Sequence, residues 1–202
     1  ASARNDMIYE DFTLNMNRAN NTGSGSHGGI RLEGGCSRWR LSRVKVTGAR
    51  GDYLGSPVGA GFSSIGGGSN GQFDNCWFDD CYDGYVLSAH TDARDFGSRF
   101  TTSTRNGGLV AAASDRFESR GVYAVGNCTT YGGAGLQIID SPDSKTYGGT
   151  FVSNTLGHGL QHNGSDRCEV HGGTFNSNGI SGLDFFDSID GKVFGGYAAS
   201  NT

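Results

Sequence analysis

Proline is nearly missing, with 2 in 202 residues, and charged residues make up only 18% of the chain. So little proline excludes a collagen-like or proline-rich linker protein. The net charge of −4 supplies no global basic field, so no nucleic-acid partner is expected. No apolar run reaches membrane-spanning length, and no signal peptide is legible at the start. Ala1 need not be the native start, so the missing signal says nothing of destination. The five cysteines (Cys36, Cys76, Cys81, Cys128, Cys168) lack zinc-type spacing and read as free core thiols, with no metal among them. The sequons at Asn20, Asn127 and Asn163 matter only in a chain secreted by a eukaryote. A 3.6-residue apolar period long enough for a helix is absent as well.

What is there is glycine, 36 residues of it, and a repeat. Residues 148–154 read GGTFVSN, 172–178 read GGTFNSN and 195–201 read GGYAASN. A second marker, GL at Gly159-Leu160, returns at Gly182-Leu183, 23 residues on. A fixed period in the twenties means one supersecondary unit stacked on copies of itself. The LxxLxLxxN spine of leucine-rich repeats is absent. Short apolar runs between Gly, Asn, Asp and Ser suit one coil of a parallel β-helix, with three strands and three turns. Neighbouring coils would lie about 4.8 Å apart. Asn154, Asn178 and Asn201 share one phase. A turn there is expected to need a residue tolerant of positive φ, and stacked amides can hydrogen-bond in a ladder.

The phase extends back toward the start. The first coil is 7–17 (MIYEDFTLNMN), an insert at 21–29, and IRL at 30–32. A strand pair follows at 39–46, closed by TGARGDYL at 47–54, and then a Gly/Ser insert at 55–71 expected to be a loop. Residues 75–87 form the third coil, 95–110 the fourth, and 120–127 open the fifth, whose GL is delayed to Gly135-Leu136. The expectation is an all-β, right-handed parallel β-helix of about seven to eight coils, one domain over 1–202 with a 23–24-residue repeat. The last coil stops in mid-repeat, so a segment of a longer chain, or one capped by a partner, is expected.

A coil of the form xxGGTFxxNxxxGLxxx resembles the right-handed parallel β-helix (pectin-lyase-like) superfamily of pectate lyases, polygalacturonases, alginate C5-epimerases and phage tailspikes. The resemblance implies a polysaccharide ligand and leaves catalysis open. The polygalacturonase pattern fails: Asp79-Asp80 and Gly157-His158-Gly159 are present, but NTD and RIK are not, and the two matches lie about three coils apart. Alginate epimerases carry YGFDPH and, two coils later, an RH pair. GDYLGSP at 51–57 offers Asp52 and Tyr53 without the histidine, and Arg105 is followed by Asn106. The resemblance implies that Arg105 would neutralise a uronate carboxylate while Tyr53 exchanged the C5 proton.

Charge along the coils is uneven. Arg31, Arg38, Arg40, Arg43, Lys45 and Arg50 precede Asp74, Asp79, Asp80 and Asp83, and Arg94, Arg99 and Arg105 follow. These strips read either as a groove for an anionic or hydroxyl-rich glycan or as solubilising surface. In the groove reading Arg43, Lys45, Arg50 and Arg99 bind substrate, and Trp39, Trp77, Tyr82 and Tyr85 offer stacking faces. By phase, Asp52 and Asp83 stand on adjacent coils roughly 5 Å apart, the spacing of a retaining-glycosidase pair or a calcium site. Calcium is the only cofactor these residues suggest. His158 shares their phase three coils on, with His162 four residues after it and Asp184 on the next coil; His171 is expected to face solvent, and His27 and His90 to sit in loops.

Two functions follow as expectations. One is a polysaccharide lyase or C5-epimerase acting on a uronic-acid glycan, with Arg105, Tyr53, Asp52 and Asp83 as catalytic candidates. The other is a non-catalytic, tailspike-type β-helix that grips a cell-surface glycan as a homotrimer. Either places the chain outside a cell or on a virion surface.

Overall fold

The computed structural model describes residues 5–17, 28–49 and 59–202. Among them there is no helix, and so none long and apolar enough to cross a membrane. Short strands stack into three parallel sheets. The first sheet has eight: Ile8–Glu10, Arg40–Ser42, Gln72–Asp74, Arg94–Phe96, Glu118–Arg120, Lys145–Tyr147, Glu169–His171 and Lys192–Phe194. The second also has eight: Thr13–Asn15, Lys45–Thr47, Trp77–Asp79, Arg99–Thr101, Tyr123–Val125, Thr150–Val152, Thr174–Asn176 and Tyr197–Ala199. The third has seven: Ile30–Glu33, Ala60–Ile65, Asp83–Ser88, Gly108–Ala111, Ala134–Ile139, His158–Asn163 and Leu183–Phe186. Each coil gives one strand to each sheet, so this is the parallel β-helix that the repeat announces.

The three corners differ. From first sheet to second the chain always turns in two residues, as at Gly148-Gly149 and Gly172-Gly173. Gly148 has φ 64° and Gly149 φ 109°, which explains the GG of the marker: the turn needs left-handed backbone. From second sheet to third the connection varies from three residues, between Asp79 and Asp83, to more than ten in the first two coils. That corner therefore carries the variation, as connecting segments with functional roles do.

The Asn phase is real, but its reason is different from the one expected. Positive φ belongs to Ser153, Ser177 and Ser200, one residue earlier. The asparagines are buried and form the ladder: Asn127 Nδ2 donates to Asn154 Oδ1 at 3.1 Å, Asn154 to Asn178 at 2.8 Å and Asn178 to Asn201 at 3.0 Å. Each Oδ1 also accepts the backbone N–H of the asparagine one coil earlier. A serine ladder, not foreseen, serves the third corner: Ser114, Ser141 and Ser165 each donate a backbone N–H to the next coil's serine hydroxyl, ending at Ser188.

A column of glycines stands against the Asn ladder. A Cβ on Gly61, Gly84, Gly107, Gly135 or Gly159 would meet the next coil's glycine carbonyl at 2.7, 2.2, 2.1, 2.7 and 2.4 Å. The G of GL is thus a site of close coil approach. Leu136, Leu160 and Leu183 follow it in register, and before them come Phe62, Tyr85 and Gly108. Gly108 has no side chain because the Tyr85 ring fills its place, 2.9 Å from where a Cβ would stand. The 55–71 insert is not a loop throughout: Ala60–Ile65 is a strand of the third sheet, and Gly68–Ser69 pairs with His90–Thr91.

The interior is aromatic at its centre, where Trp39, Phe62, Phe73, Tyr85, Phe78 and Phe100 make edge and stacked contacts. Trp39 and Tyr85, considered above as sugar-stacking faces, are wholly buried. So is His90, which contacts Ser64 Oγ at 2.6 Å. His162 is buried and stacked on Phe185. The five cysteines are free and buried, and burial pushes Cys76, Cys81 and Cys128 up to about 12. His171 is half-buried, stacked between Tyr147 and Phe194 and bonded to Glu169.

Asp95 is the exception inside the cylinder. It lies in register between Phe73 and Ser119, fully buried beside Tyr85, with Oδ1 accepting the Ser98 N–H and Oδ2 without a hydrogen-bond partner among the described residues. Burial raises its carboxyl to about 7. A raised acid favours the folded state while protonated, so its cost is absent below the ordinary value of 3.8 and fully present above about 7. Asp95→Asn is therefore expected to stabilise the fold on the order of 4 kcal/mol at alkaline pH and by almost nothing at acid pH; melting curves across pH read this. Asn154→Ala strips two donors of their acceptor and is expected to cost on the order of 3 kcal/mol in urea melts. Ser103→Ala, whose hydroxyl has no partner, is the near-neutral control.

Candidate functional site

The variable corner gathers a cluster of hydrogen-bonded polar side chains. Residues 83 and 105 fall at the start of the third-sheet strands and in the connection just before them. Asp83 is buried, and Arg105 grips it with two nitrogens, Nε to Oδ1 at 3.0 Å and Nη2 to Oδ2. Asn106 adds its backbone N–H at 3.1 Å and its Nδ2 at 3.2 Å, both to Oδ1. Four donors on one carboxylate offset the cost of burying it.

The Arg105 guanidinium lies 5.1 Å from the Tyr82 ring, and Tyr82 stands 6.0 Å from the Tyr131 ring. Burial raises the Tyr82 phenol, with the Arg105 cation opposing. The Tyr82 N–H is shared between the carbonyls of Ala49, at 2.8 Å, and Gly59, at 3.2 Å. Ala49 and Gly59 thus both meet this cluster. Arg105 Nη1 makes no hydrogen bond among the described residues, so the group offers a directed donor at the surface of the corner.

The other sequence candidates divide. Lys45, Trp77 and Arg99 stand in register on the outer face of the second sheet, with Tyr123 next. Lys45 Nζ sits 3.6 Å over the Trp77 ring, Trp77 Nε1 donates to Thr101 Oγ1 at 3.0 Å, and Arg99 lies 5.6 Å from the Tyr123 ring. This row alternates cation and aromatic along the stack. Arg43 does not join it: it lies at the two-residue turn, paired with Asp11 at 2.6 Å. Arg38 and Arg40 are likewise paired, with Asp6 and Asp74, so the basic strip is largely matched by acids one coil away. Arg50, Asp52 and Tyr53 lie outside the described residues.

The proposed pairing of Asp83 with Asp52 falls outside the described residues; what the fold shows is Asp83 in register with Ala60, at the start of the preceding coil's strand Ala60–Ile65. With Ala60 beside it and four donors on it, Asp83 holds Arg105 in place. Among the described residues no group of three His, Cys, Asp or Glu is arranged to hold a metal ion.

The sequence matches no protein-family model and no curated protein. Among solved structures, it is similar to the A-module of the Azotobacter vinelandii mannuronan C-5 epimerase AlgE6, with a TM-score of 0.79 at 16% identity over 96% of this chain and 51% of that one. The periplasmic alginate epimerase AlgG is similar at a TM-score of 0.68 and 14% identity, over 95% of this chain and 45% of that one. The enzymatically active domain of bacteriophage CBA120 tailspike protein 2 gives 0.58 and 14%, over 96% and 32%. The chain spans about half the length of the first of these and less of the others. What is shared is the fold: this chain has the parallel β-helix architecture of all three.

Asp83→Ala would leave the Arg105 cation at the corner without its counter-charge and is expected to cost about 3–5 kcal/mol in urea denaturation. Adding Arg105→Ala should return part of that loss, a coupling that a double-mutant cycle measures.

Proposed function

We propose that the chain is a polysaccharide-acting β-helix whose glycan lies along the corner between the second and third sheets. The observation that carries this reading is Arg105, held by Asp83, which Asn106 also bonds, and set against Tyr82 with one nitrogen unused among the described residues. Such a donor suits a sugar carboxylate or hydroxyl, and Tyr82 and Tyr131 provide aromatic faces beside it. The substrate proposed is a uronic-acid glycan, and the chemistry lyase or C5-epimerase. Arg105 would polarise the C5 carboxylate so that the adjacent proton becomes acidic. Tyr53, with Asp52 and Arg50, lies outside the described residues and would supply the proton-exchanging group. Lys45, Trp77 and Arg99 would bind more distant sugars. The mannuronan and alginate epimerases of similar fold support this reading.

A second reading has an observation of its own. Asp83 is spent on holding Arg105, and Asn106 follows where the epimerase pattern has histidine, so the corner fits gripping as well as turnover. In that case the chain is a tailspike-type glycan binder, trimeric and displayed on a virion; in the first it acts outside the cell.

The deciding experiment offers polyuronates and neutral bacterial polysaccharides to the protein. It follows ultraviolet absorbance for unsaturated ends, new reducing ends, and C5 proton exchange by NMR. Turnover is expected to fall by roughly 100-fold or more in Arg105→Ala, with Arg105→Lys also impaired because lysine lacks the fork. Tight binding with no product in any channel would establish the gripping role instead, and neither binding nor product would sink both.

A further inference from the structure

Two coils beyond Arg105 the same corner carries a second polar cluster that the reading above leaves unused. The column is chained by hydrogen bonds: Asn106 donates to Asp83, and Asn106 Oδ1 accepts the Ala134 N–H at 2.9 Å. Ala134 stands in register with His158, whose Nδ1 lies 2.6 Å from Ser181 Oγ on the next coil. Asp184 Oδ2 is 3.6 Å from the same nitrogen and accepts Gln161 Nε2 at 2.8 Å. Gln161 Oε1 in turn accepts Gln137 Nε2 at 2.7 Å. His158, Ser181 and Asp184 come from three short segments of two successive coils, and nothing in the folding of the coils requires them.

The geometry selects a tautomer. A carboxylate beside Nδ1 favours the proton there, donated to Ser181 Oγ, and this leaves Nε2 as a bare acceptor. Nε2 has no hydrogen-bond partner among the described residues. Burial also lowers the imidazole below its ordinary value of 6.5, with Asp184 opposing, which keeps the ring neutral at neutral pH.

Between the two clusters the fifth coil contributes Gly132, Gly133 and Ala134, a floor with no side chain larger than a methyl. A Cβ on Gly133 would stand 2.4 Å from Asn106 Oδ1. Tyr131, exposed, closes one side of this floor. Two coil steps put Arg105 and His158 about 10 Å apart along the stack, the span of two sugar residues.

We infer that His158 is a second ligand-contacting group of the groove, a neutral imidazole whose Nε2 accepts a hydrogen bond from a sugar hydroxyl two residues from the one at Arg105. Ser181 and Asp184 are its positioning residues. The inference rests on the polysaccharide reading and deepens it.

Two measurements test it. Nitrogen-resolved NMR of the wild-type imidazole reads the tautomer without any variant, and the Nδ1–H form is expected. Titration with oligomannuronates and oligogalacturonates from disaccharide to hexasaccharide reads the subsite. His158→Gln is expected to weaken the longer oligomers about tenfold and to leave the disaccharide at Arg105 unchanged, whereas Arg105→Lys weakens both. Ser181→Ala should reproduce part of the long-oligomer loss. An Nε2–H tautomer, or hexasaccharide affinity unchanged in His158→Gln, overturns the inference while the polysaccharide reading stands. A wild-type protein that binds no oligomer overturns the polysaccharide reading and takes this subsite with it.

Discussion

Close approach of the backbone at the entrance to the third sheet is the constraint on which the rest of this structure depends. From Gly61 to Gly159, each coil's glycine leaves room for the carbonyl of the coil above it, where any side chain would collide. The coils can then stack flush at the corner that also carries the longest connections. Directly behind the glycines, Asn154 and Asn178 satisfy buried backbone groups with their amides, each within 2.9 Å of where a Cβ on Gly135 or Gly159 would stand. A buried column of glycine and a buried ladder of asparagine are two sides of one solution: bring the backbones together, then satisfy the donors that this buries.

On that rigid base the chemistry is free to vary. Corners made of two-residue turns and serine hydroxyls hold the cylinder in register, while connections between second and third sheets range widely in length. Arg105 owes its fixed position to Asp83 on the preceding coil, a carboxylate that Asn106 also bonds. His158 owes its own to Ser181 and Asp184 in the same manner. In each case the group offered outward is braced from the neighbouring coil, so the stacking that makes the fold also orients its side chains.

The markers in the sequence were legible because each answers a backbone requirement. GG marks a left-handed turn, GL a close approach, and N a ladder, and each recurs over the later coils. The strand Ala60–Ile65 was hidden because AGFSSI lacks alternating hydrophobicity; its neighbours Ile30–Glu33 and Asp83–Ser88 supply the apolar partners. That one misreading moved the phase: the register partner of Asp83 is Ala60, a residue the pattern had left in a loop. The grip of Arg105 on Asp83 escaped notice although both residues were singled out, because their separation of 22 residues falls short of the period. Whether an aromatic faces sugar or core turns on a one-residue shift, and Trp39 and Tyr85 fell inward while Trp77 fell outward. Nothing in the pattern announced Asp95 inside an apolar cylinder.

The asparagine ladder has a direction. Within the ladder every amide from Asn127 to Asn178 donates to the asparagine that follows, and its Nδ2 also donates back to a carbonyl of the coil before. A stack wired in this way treats every interior layer alike. Adding or removing one whole turn reconnects each donor to an equivalent acceptor, whereas adding a single residue within a strand misaligns every layer at once. Length is therefore a freely adjustable property of this architecture, in units of one coil, and a chain built on it can be lengthened without redesigning any layer.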